Sequence, residues 1–109
     1  MYSFDPWERR ELGSTGLQVS GICLGSGGLG SAPQLFGHET PESEAVETVL
    51  AAFDSPLNFY DTSAGYSDGE SERRIGKALA RVGGLPEGWV LGTKVDPVDG
   101  RFDGEAVRR

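Results

Sequence analysis

Three side chains in this sequence have complementary chemistry: a carboxylate at Asp61, a phenol at Tyr66 and an ammonium at Lys94. A free phenol, with a pKa near 10, is a poor acid at neutral pH. An ammonium about 4 Å away, at an effective dielectric near 20, favours the phenolate by roughly 4 kcal/mol, less whatever desolvation takes back. A carboxylate beside the lysine keeps it charged and fixed. Together the three would make a tyrosine able to give its proton to a developing alkoxide. Singly, each has a plainer reading. Asp61-Thr62-Ser63 suits an Asx cap, a loop tyrosine packs against its neighbours, and a strand-end lysine is solvated.

The sequence must supply elements that bring these positions together. Arg10-Glu11-Leu12 and Leu17-Gln18-Val19 flank Gly13-Ser14-Thr15-Gly16, which predicts a small hairpin. Gly21-Ile22-Cys23-Leu24-Gly25 is apolar without alternation, as in a strand buried on both faces of a parallel sheet. Residues 26–39 read as a loop. Thr40-Pro41-Glu42 offers a hydroxyl N-cap, a proline at the first helical position and an acid in the first turn. Val46, Val49, Leu50 and Phe53 then recur at helical spacing, predicting a helix over 41–54.

Leu57-Asn58-Phe59-Tyr60-Asp61 predicts a second short strand. Asp68-Gly69-Glu70 opens another helix, with Ile75, Ala78, Leu79 and Val82 on one face and Gly83-Gly84 stopping it. Trp89-Val90-Leu91-Gly92-Thr93-Lys94-Val95 is a third strand. Asp103 then caps a last helix over 104–109; no stop signal follows, so the chain reads as cut. Strands alternating with helices at this spacing predict parallel βα units. In a parallel barrel the C-terminal strand ends converge on one face, where Asp61, Tyr66 and Lys94 can meet.

Gly25-Ser26-Gly27-Gly28-Leu29-Gly30 matches G-x-G-x-x-G, the dinucleotide fingerprint, after a predicted strand. That fingerprint needs a helix at its third glycine, with its N-terminus facing the pyrophosphate. Here Ser31-Ala32-Pro33-Gln34 follows instead, and the acids downstream, Glu44 and Glu47, fall within the predicted helix. The plainer reading is a flexible loop whose small residues let something approach the backbone. His38 reads as a solvated loop residue and Cys23 as a small apolar strand residue with no base beside it. The apolar insert Gln34-Leu35-Phe36 either lines a substrate pocket or covers a rim.

Four motifs, in order, resemble the N-terminal part of the aldo-keto reductases. The first is Gly13-Ser14-Thr15-Gly16-Leu17-Gln18-Val19-Ser20-Gly21-Ile22-Cys23-Leu24-Gly25. Asn58-Phe59-Tyr60-Asp61-Thr62-Ser63-Ala64-Gly65-Tyr66, Glu70-Ser71-Glu72-Arg73-Arg74-Ile75-Gly76-Lys77-Ala78-Leu79 and Gly92-Thr93-Lys94-Val95 complete the set. The resemblance implies an α/β fold, the N-terminal part of a (β/α)8 TIM barrel closed at the bottom by a β-hairpin. It implies an NAD(P)(H)-dependent oxidoreductase that reduces carbonyls or oxidises alcohols by hydride transfer, with NADP expected and NAD possible. Tyr66 is then the proton donor, Lys94 assists it, and Asp61 pairs with the lysine. Cofactor contacts are expected at Gly25, Ser26, Gly27 and Asp61.

Two departures stand out: Ser67 replaces the glycine usual after the tyrosine, and Pro56-Leu57 replaces glycine-isoleucine before Asn58. A catalytic histidine and the main phosphate contacts of the family are expected beyond Arg109. The implied organisation is an extension over residues 1–9 and an incomplete barrel over 10–109.

Composition narrows the remaining classes. The net charge is −7, and where a nucleic-acid binder would want a basic stripe the densest basic pairs, Arg9-Arg10, Arg73-Arg74 and Arg108-Arg109, lie next to acids, so nucleic acid is not an expected partner. No apolar run approaches the ~18 residues of a membrane span, and the N-terminus has no signal-peptide core. One cysteine fits a reducing compartment, so cytoplasm is the expectation. A full barrel needs about 250 residues. The 109 residues here supply three strands with open edges, so the isolated chain is expected to self-associate or to be unstable, and to be inactive alone. The alternative to an enzyme is a non-catalytic truncated or interaction protein derived from that family.

Overall fold

A computed structural model describes residues 3–108. Strands β1 (Arg9–Glu11) and β2 (Gln18–Ser20) form an antiparallel hairpin. Three more strands, β3 (Leu24–Gly25), β4 (Phe59–Asp61) and β5 (Val90–Gly92), form a parallel sheet with β4 in the middle. Helices α2 (Glu42–Phe53) and α3 (Glu70–Val82) are the crossovers; the short α1 (Pro33–Phe36) precedes α2 and α4 (Gly104–Arg108) follows β5. These are the parallel βα units that the sequence predicts. Among the described residues, no helix is long and apolar enough to cross a membrane.

Alternation along the short strands decides what faces where. Leu24, Tyr60 and Leu91 are register partners and form one row across the sheet. That row joins a core made with Leu29, Ala45, Val46, Val49, Ile75 and Ala78, so it faces α2 and α3. Each such Val, Leu or Ile, once fully buried, contributes roughly 1.5–3 kcal/mol. The next row, Gly25, Asp61 and Gly92, points to the opposite face. Trp89 closes one end of the core, its ring edge-on to Phe53 at 4.9 Å.

The structure corrects several sequence expectations. Thr40 is not the N-cap of α2; Pro41 is, in an extended conformation (φ −62°, ψ 148°), and its carbonyl accepts from Ala45 N at 3.0 Å. Thr40 is drawn elsewhere: its N–H donates to Ser31 Oγ and its carbonyl accepts from Arg74 Nη1. The predicted loop over 26–39 contains α1. Residues 21–25 are not a strand buried on both faces. Gly21 N donates to Pro6 O at 3.1 Å, pairing with β4 starts only at Leu24, and Ile22 is 41% exposed. Val82 is 50% exposed, because it lies in the last turn of α3, where Gly83 (φ 82°) turns the chain away from the core.

The segment before β1 is not detached from this frame: the Phe4 ring lies where a Gly21 side chain would be, 3.0 Å from its Cβ position. The Asn58 side chain ties the hairpin to the sheet, and Ser20 Oγ accepts from Asn58 N at 3.5 Å beside it. Asn58 is buried; its Oδ1 accepts from Ser20 N at 2.7 Å and its Nδ2 donates to Gln18 O at 2.7 Å and Gly88 O at 2.9 Å. Removing it strands one backbone donor and two acceptors. Asn58→Ala is expected to lower stability by about 2–4 kcal/mol, read as a fall in the urea midpoint at constant m-value. Val82→Ala, on the exposed end of α3, should stay within about 0.5 kcal/mol; equal losses in the two variants would contradict this account.

Candidate active site

The row that faces away from the helices puts Asp61 between two glycines, with Gly25 on β3 and Gly92 on β5. Neither of these strand neighbours places a side chain beside the carboxylate. The ladder continues past the strand ends: Thr62 N donates to Gly92 O at 2.9 Å and Ala64 N to Lys94 O at 3.3 Å. Lys94 is thereby held alongside the segment that follows Asp61. Its Nζ donates to Asp61 Oδ2 at 2.9 Å, to the Thr62 carbonyl at 2.8 Å and to Tyr66 Oη at 3.3 Å. All three donors of the ammonium are used. The hydrogen bond to Asp61 holds the Lys94 ammonium above the ordinary lysine range, partial desolvation opposes this, and Tyr66 adds to it. The three residues singled out from the sequence therefore meet in one cluster.

Buried hydroxyls hold the strand ends level beneath that cluster. Ser26 Oγ donates to Asp61 O at 2.7 Å, Ser71 Oγ donates to Ser26 O at 3.0 Å, and Thr62 Oγ1 lies 2.9 Å from Ser71 Oγ. Arg74 works from the same helix: buried on α3, it donates through Nη1 to Leu29 O at 2.8 Å and Thr40 O at 2.9 Å, and through Nε to Glu70. The loop after β3 is thus fastened to α3 at both ends. Sequence reasoning assigned none of these roles to Ser71, Thr62 or Arg74. Their one sequence signal is their place within the motifs that carry the family resemblance. Ser26, expected as a cofactor contact, is fully buried: its hydroxyl donates to Asp61 O, and its carbonyl accepts from Ser71 Oγ and Leu29 N, so of the three expected backbone contacts Gly25 and Gly27 are the accessible ones.

Within the G-x-G-x-x-G match, Gly30 and the intervening Gly28 make room for the chain itself, whereas a Cβ on Gly25 would meet nothing within 4 Å. A Cβ on Gly30 would lie 2.6 Å from Ser67 Cβ, and one on Gly28 would lie 3.4 Å from the Phe36 ring. At Gly28 and Gly30 the groups that approach the loop backbone are Phe36 and Ser67. No helix starts at Gly30, so the fingerprint is a coincidence of composition. Tyr66 begins a 3₁₀ turn, Tyr66–Gly69, in which Ser67 (φ 50°), Asp68 (φ 55°) and Gly69 (φ 89°) are all left-handed. The glycine usual at position 67 in the resembling family is explained by this backbone; serine there costs roughly 1–2 kcal/mol. Ser67 Oγ donates to Ser31 O at 3.3 Å, in partial compensation.

His38 is exposed, with Nδ1 3.1 Å from Phe36 O, as a solvated loop residue should be. Cys23 lies on the open face two residues before Gly25. It is exposed rather than packed in a strand, and partial burial of its sulfur pushes the thiol up. Asp61 adds to that shift and Lys94 opposes it, so the thiol senses the ion pair.

A family model described as the aldo/keto reductase family matches residues 21–108. Among curated proteins, L-galactose dehydrogenase of Arabidopsis thaliana is 39% identical over 101 residues, covering 93% of this chain and 30% of that protein. Versiconal hemiacetal acetate reductase of Aspergillus parasiticus is 38% identical over 74 residues, covering 68% of this chain and 21% of that protein. Among solved structures, a putative aldo-keto reductase from Pseudomonas aeruginosa superposes with a TM-score of 0.62 at 36% identity, over 87% of this chain and 35% of that one. A thermostable aldo-keto reductase gives 0.61 at 30% identity, over 79% and 30%. The neighbours are TIM barrels, and this chain matches their α/β architecture over its own length. It spans about a third or less of the relatives it matches.

The coupling of Cys23 to the ion pair gives a test of the geometry that needs no activity. With its thiol raised, Cys23 should alkylate with iodoacetamide at pH 8 more slowly than free cysteine, and the rate should still be climbing at higher pH. Lys94→Met removes the one lowering influence and should slow it further; Asp61→Asn removes a raising one and should speed it. Identical rates in all three proteins would separate the thiol from the pair.

Proposed function

The chain belongs to the aldo/keto reductase family, and from that premise we propose that it carries the proton-transfer half of an NAD(P)(H)-dependent carbonyl reductase and alcohol dehydrogenase. The observation that supports this reading is one contact set: Lys94 Nζ bridging Asp61 Oδ2 at 2.9 Å and Tyr66 Oη at 3.3 Å. The family generally uses NAD(P)H and acts on small carbonyl substrates. NADP is the proposed cofactor, with NAD admissible.

The residues present suit a nicotinamide cofactor. A Cβ on Gly25 would meet nothing within 4 Å, so the strand end beside Asp61 is open. Gly25 and Gly27 would hold the group through their backbone, and Asp61 through its carboxylate, while the buried Ser26 fixes the strand end beneath them. When bound in reduced form, it supplies a hydride for the carbonyl carbon. The chain's own residues supply the rest. Tyr66 Oη hydrogen-bonds the carbonyl oxygen and gives it a proton as the carbon–oxygen double bond becomes an alcohol. The Lys94 ammonium, already donating to that hydroxyl, stabilises the phenolate left behind. Asp61 keeps the ammonium in place and balances its charge. In the oxidative direction the same phenolate takes the alcohol proton back.

The test is Tyr66→Phe in a full-length barrel that carries this segment, since the segment alone is expected to be inactive. Turnover of an aldehyde with NADPH is expected to fall by about 10²–10⁴, while the dissociation constant for NADPH changes less than about threefold. Lys94→Met should lose turnover comparably, because it removes the same stabilisation. Near-normal turnover in Tyr66→Phe would end the proton-donor assignment. Undetectable NADPH binding by the unaltered protein would favour the non-catalytic reading.

A further inference from the structure

Helix α3 meets the strand ends with its first turn, and three successive side chains there go to different places. Ser71 bonds Ser26 and Thr62. Glu70 turns to Arg73 and Arg74. Glu72 turns toward the sheet: it accepts a hydrogen bond from the Thr93 hydroxyl, 21 residues further on and next to Lys94. An acid suits the start of a helix, where free N–H groups favour a carboxylate. Its partner is the informative half. Strand β5 ends at Gly92, and the backbone ladder loosens beyond it. Thr62 N donates to Gly92 O at 2.9 Å, whereas Ala64 N donates to Lys94 O at 3.3 Å. Side chains still alternate across that stretch. Leu91 packs against the core, Gly92 belongs to the opposite row, Thr93 reaches back to α3, and Lys94 crosses to Asp61. Fixing Thr93 on the helix side therefore turns Lys94 to the other side. Lysine does not do this for itself, because its four-carbon stem is flexible.

We infer that Glu72 is a positioning residue for the proton transfer: by holding the Thr93 hydroxyl against α3, it sets the backbone from which Lys94 reaches Tyr66. The inference rests on the reductase reading above. Glu72 acts from the helix side of the sheet, with Thr93 between it and the reacting face. Its part differs from that of Ser71. The buried serine sets the height of the β3 and β4 ends, whereas Glu72 sets the rotation of the chain that leaves β5. One turn of α3 thus holds both sides of the ammonium's environment, the Thr62 segment through Ser71 and the Lys94 segment through Glu72.

The test uses a full-length barrel that carries this segment. Glu72→Ala is expected to lower kcat for an aldehyde with NADPH about tenfold or more, while the dissociation constant for NADPH changes less than about threefold. Thr93→Val should act in the same sense. Glu72→Gln, whose amide oxygen still accepts from the hydroxyl, and Thr93→Ser, which keeps the hydroxyl, should stay within about threefold of the unaltered protein. In a Lys94→Met background, Glu72→Ala should change kcat less than about twofold, since a residue that acts only through the ammonium has nothing left to lose. A second readout needs no turnover: NMR of tyrosine labelled with carbon-13 at Cζ, the Tyr66 resonance being assigned from Tyr66→Phe. That resonance should move in Glu72→Ala toward its position in Lys94→Met, and return in Glu72→Gln. An unmoved resonance, full additivity with Lys94→Met, or a Glu72→Gln variant as impaired as Glu72→Ala would overturn the inference. A resonance that moves as expected in a barrel that turns over no aldehyde would leave the hold on Lys94 standing and sink the reductase reading.

Discussion

The Lys94 ammonium donates to Asp61 Oδ2, the Thr62 carbonyl and Tyr66 Oη, so its three hydrogens are committed in three fixed directions. That arrangement exists only if β4 and β5 end level with each other. The register Asp61 to Gly92, continued by the Thr62 and Ala64 backbone bonds, provides this. Only one acceptor of the three is a carboxylate. The second is backbone, so moving the segment after Asp61 by one residue would turn the Thr62 carbonyl away and release the lysine. The ion pair is half-exposed and weak as a source of stability. Its orientation is what matters, and the fold supplies that orientation from below.

What lies below is polar and buried. Ser26, Ser71 and Thr62 form a chain of hydroxyls linking β3, β4 and α3, and among the described residues no buried side-chain polar atom lacks a partner. A fully satisfied network of this kind allows few alternative positions, because shifting one member leaves another unpaired in a low-dielectric setting. Leucines in those places would bury as well but would not set the height of one strand end against its neighbour. Arg74 extends the principle to the loop, gripping Leu29 and Thr40 by their carbonyls, so residues 26–40 are irregular in backbone yet fixed in place.

The alternation of strands and helices was readable because it rests on local patterns: glycine and proline punctuation, and apolar residues at helical spacing in 46–53 and 75–79. The trio Asp61, Tyr66 and Lys94 was readable because strand ends in parallel units share a face, and because the motifs around them resemble a known family. Asn58, Ser71 and Arg74 were not readable from local pattern. Their backbone partners lie 30 to 45 residues away, and for a backbone atom the partner's residue type carries no signal. The N-cap of α2 slipped by one residue for a similar reason. Thr40 has the right chemistry for a cap, but distant Ser31 and Arg74 claim its backbone. Helix α1 was missed because four residues are too few to show a period.

Local rules are broken most densely around Tyr66. Ser67 and Asp68 take left-handed conformations without being glycine, and Gly30 gives up a side chain so that Ser67 can fit. Leu35 and Phe36 remain exposed on a helix too short to hold itself. These exceptions sit on facing segments, and two contacts join them: Ser67 with Gly30 and Ser31, and Phe36 with Gly28. Strain persists where surrounding structure overdetermines it. Here the overdetermining parts are the Arg74 grip and the hydroxyl chain, both on the sheet side of the loop. The turn that begins at Tyr66 and the loop that carries α1 are thereby held to one frame, so a change in either must be felt by the other.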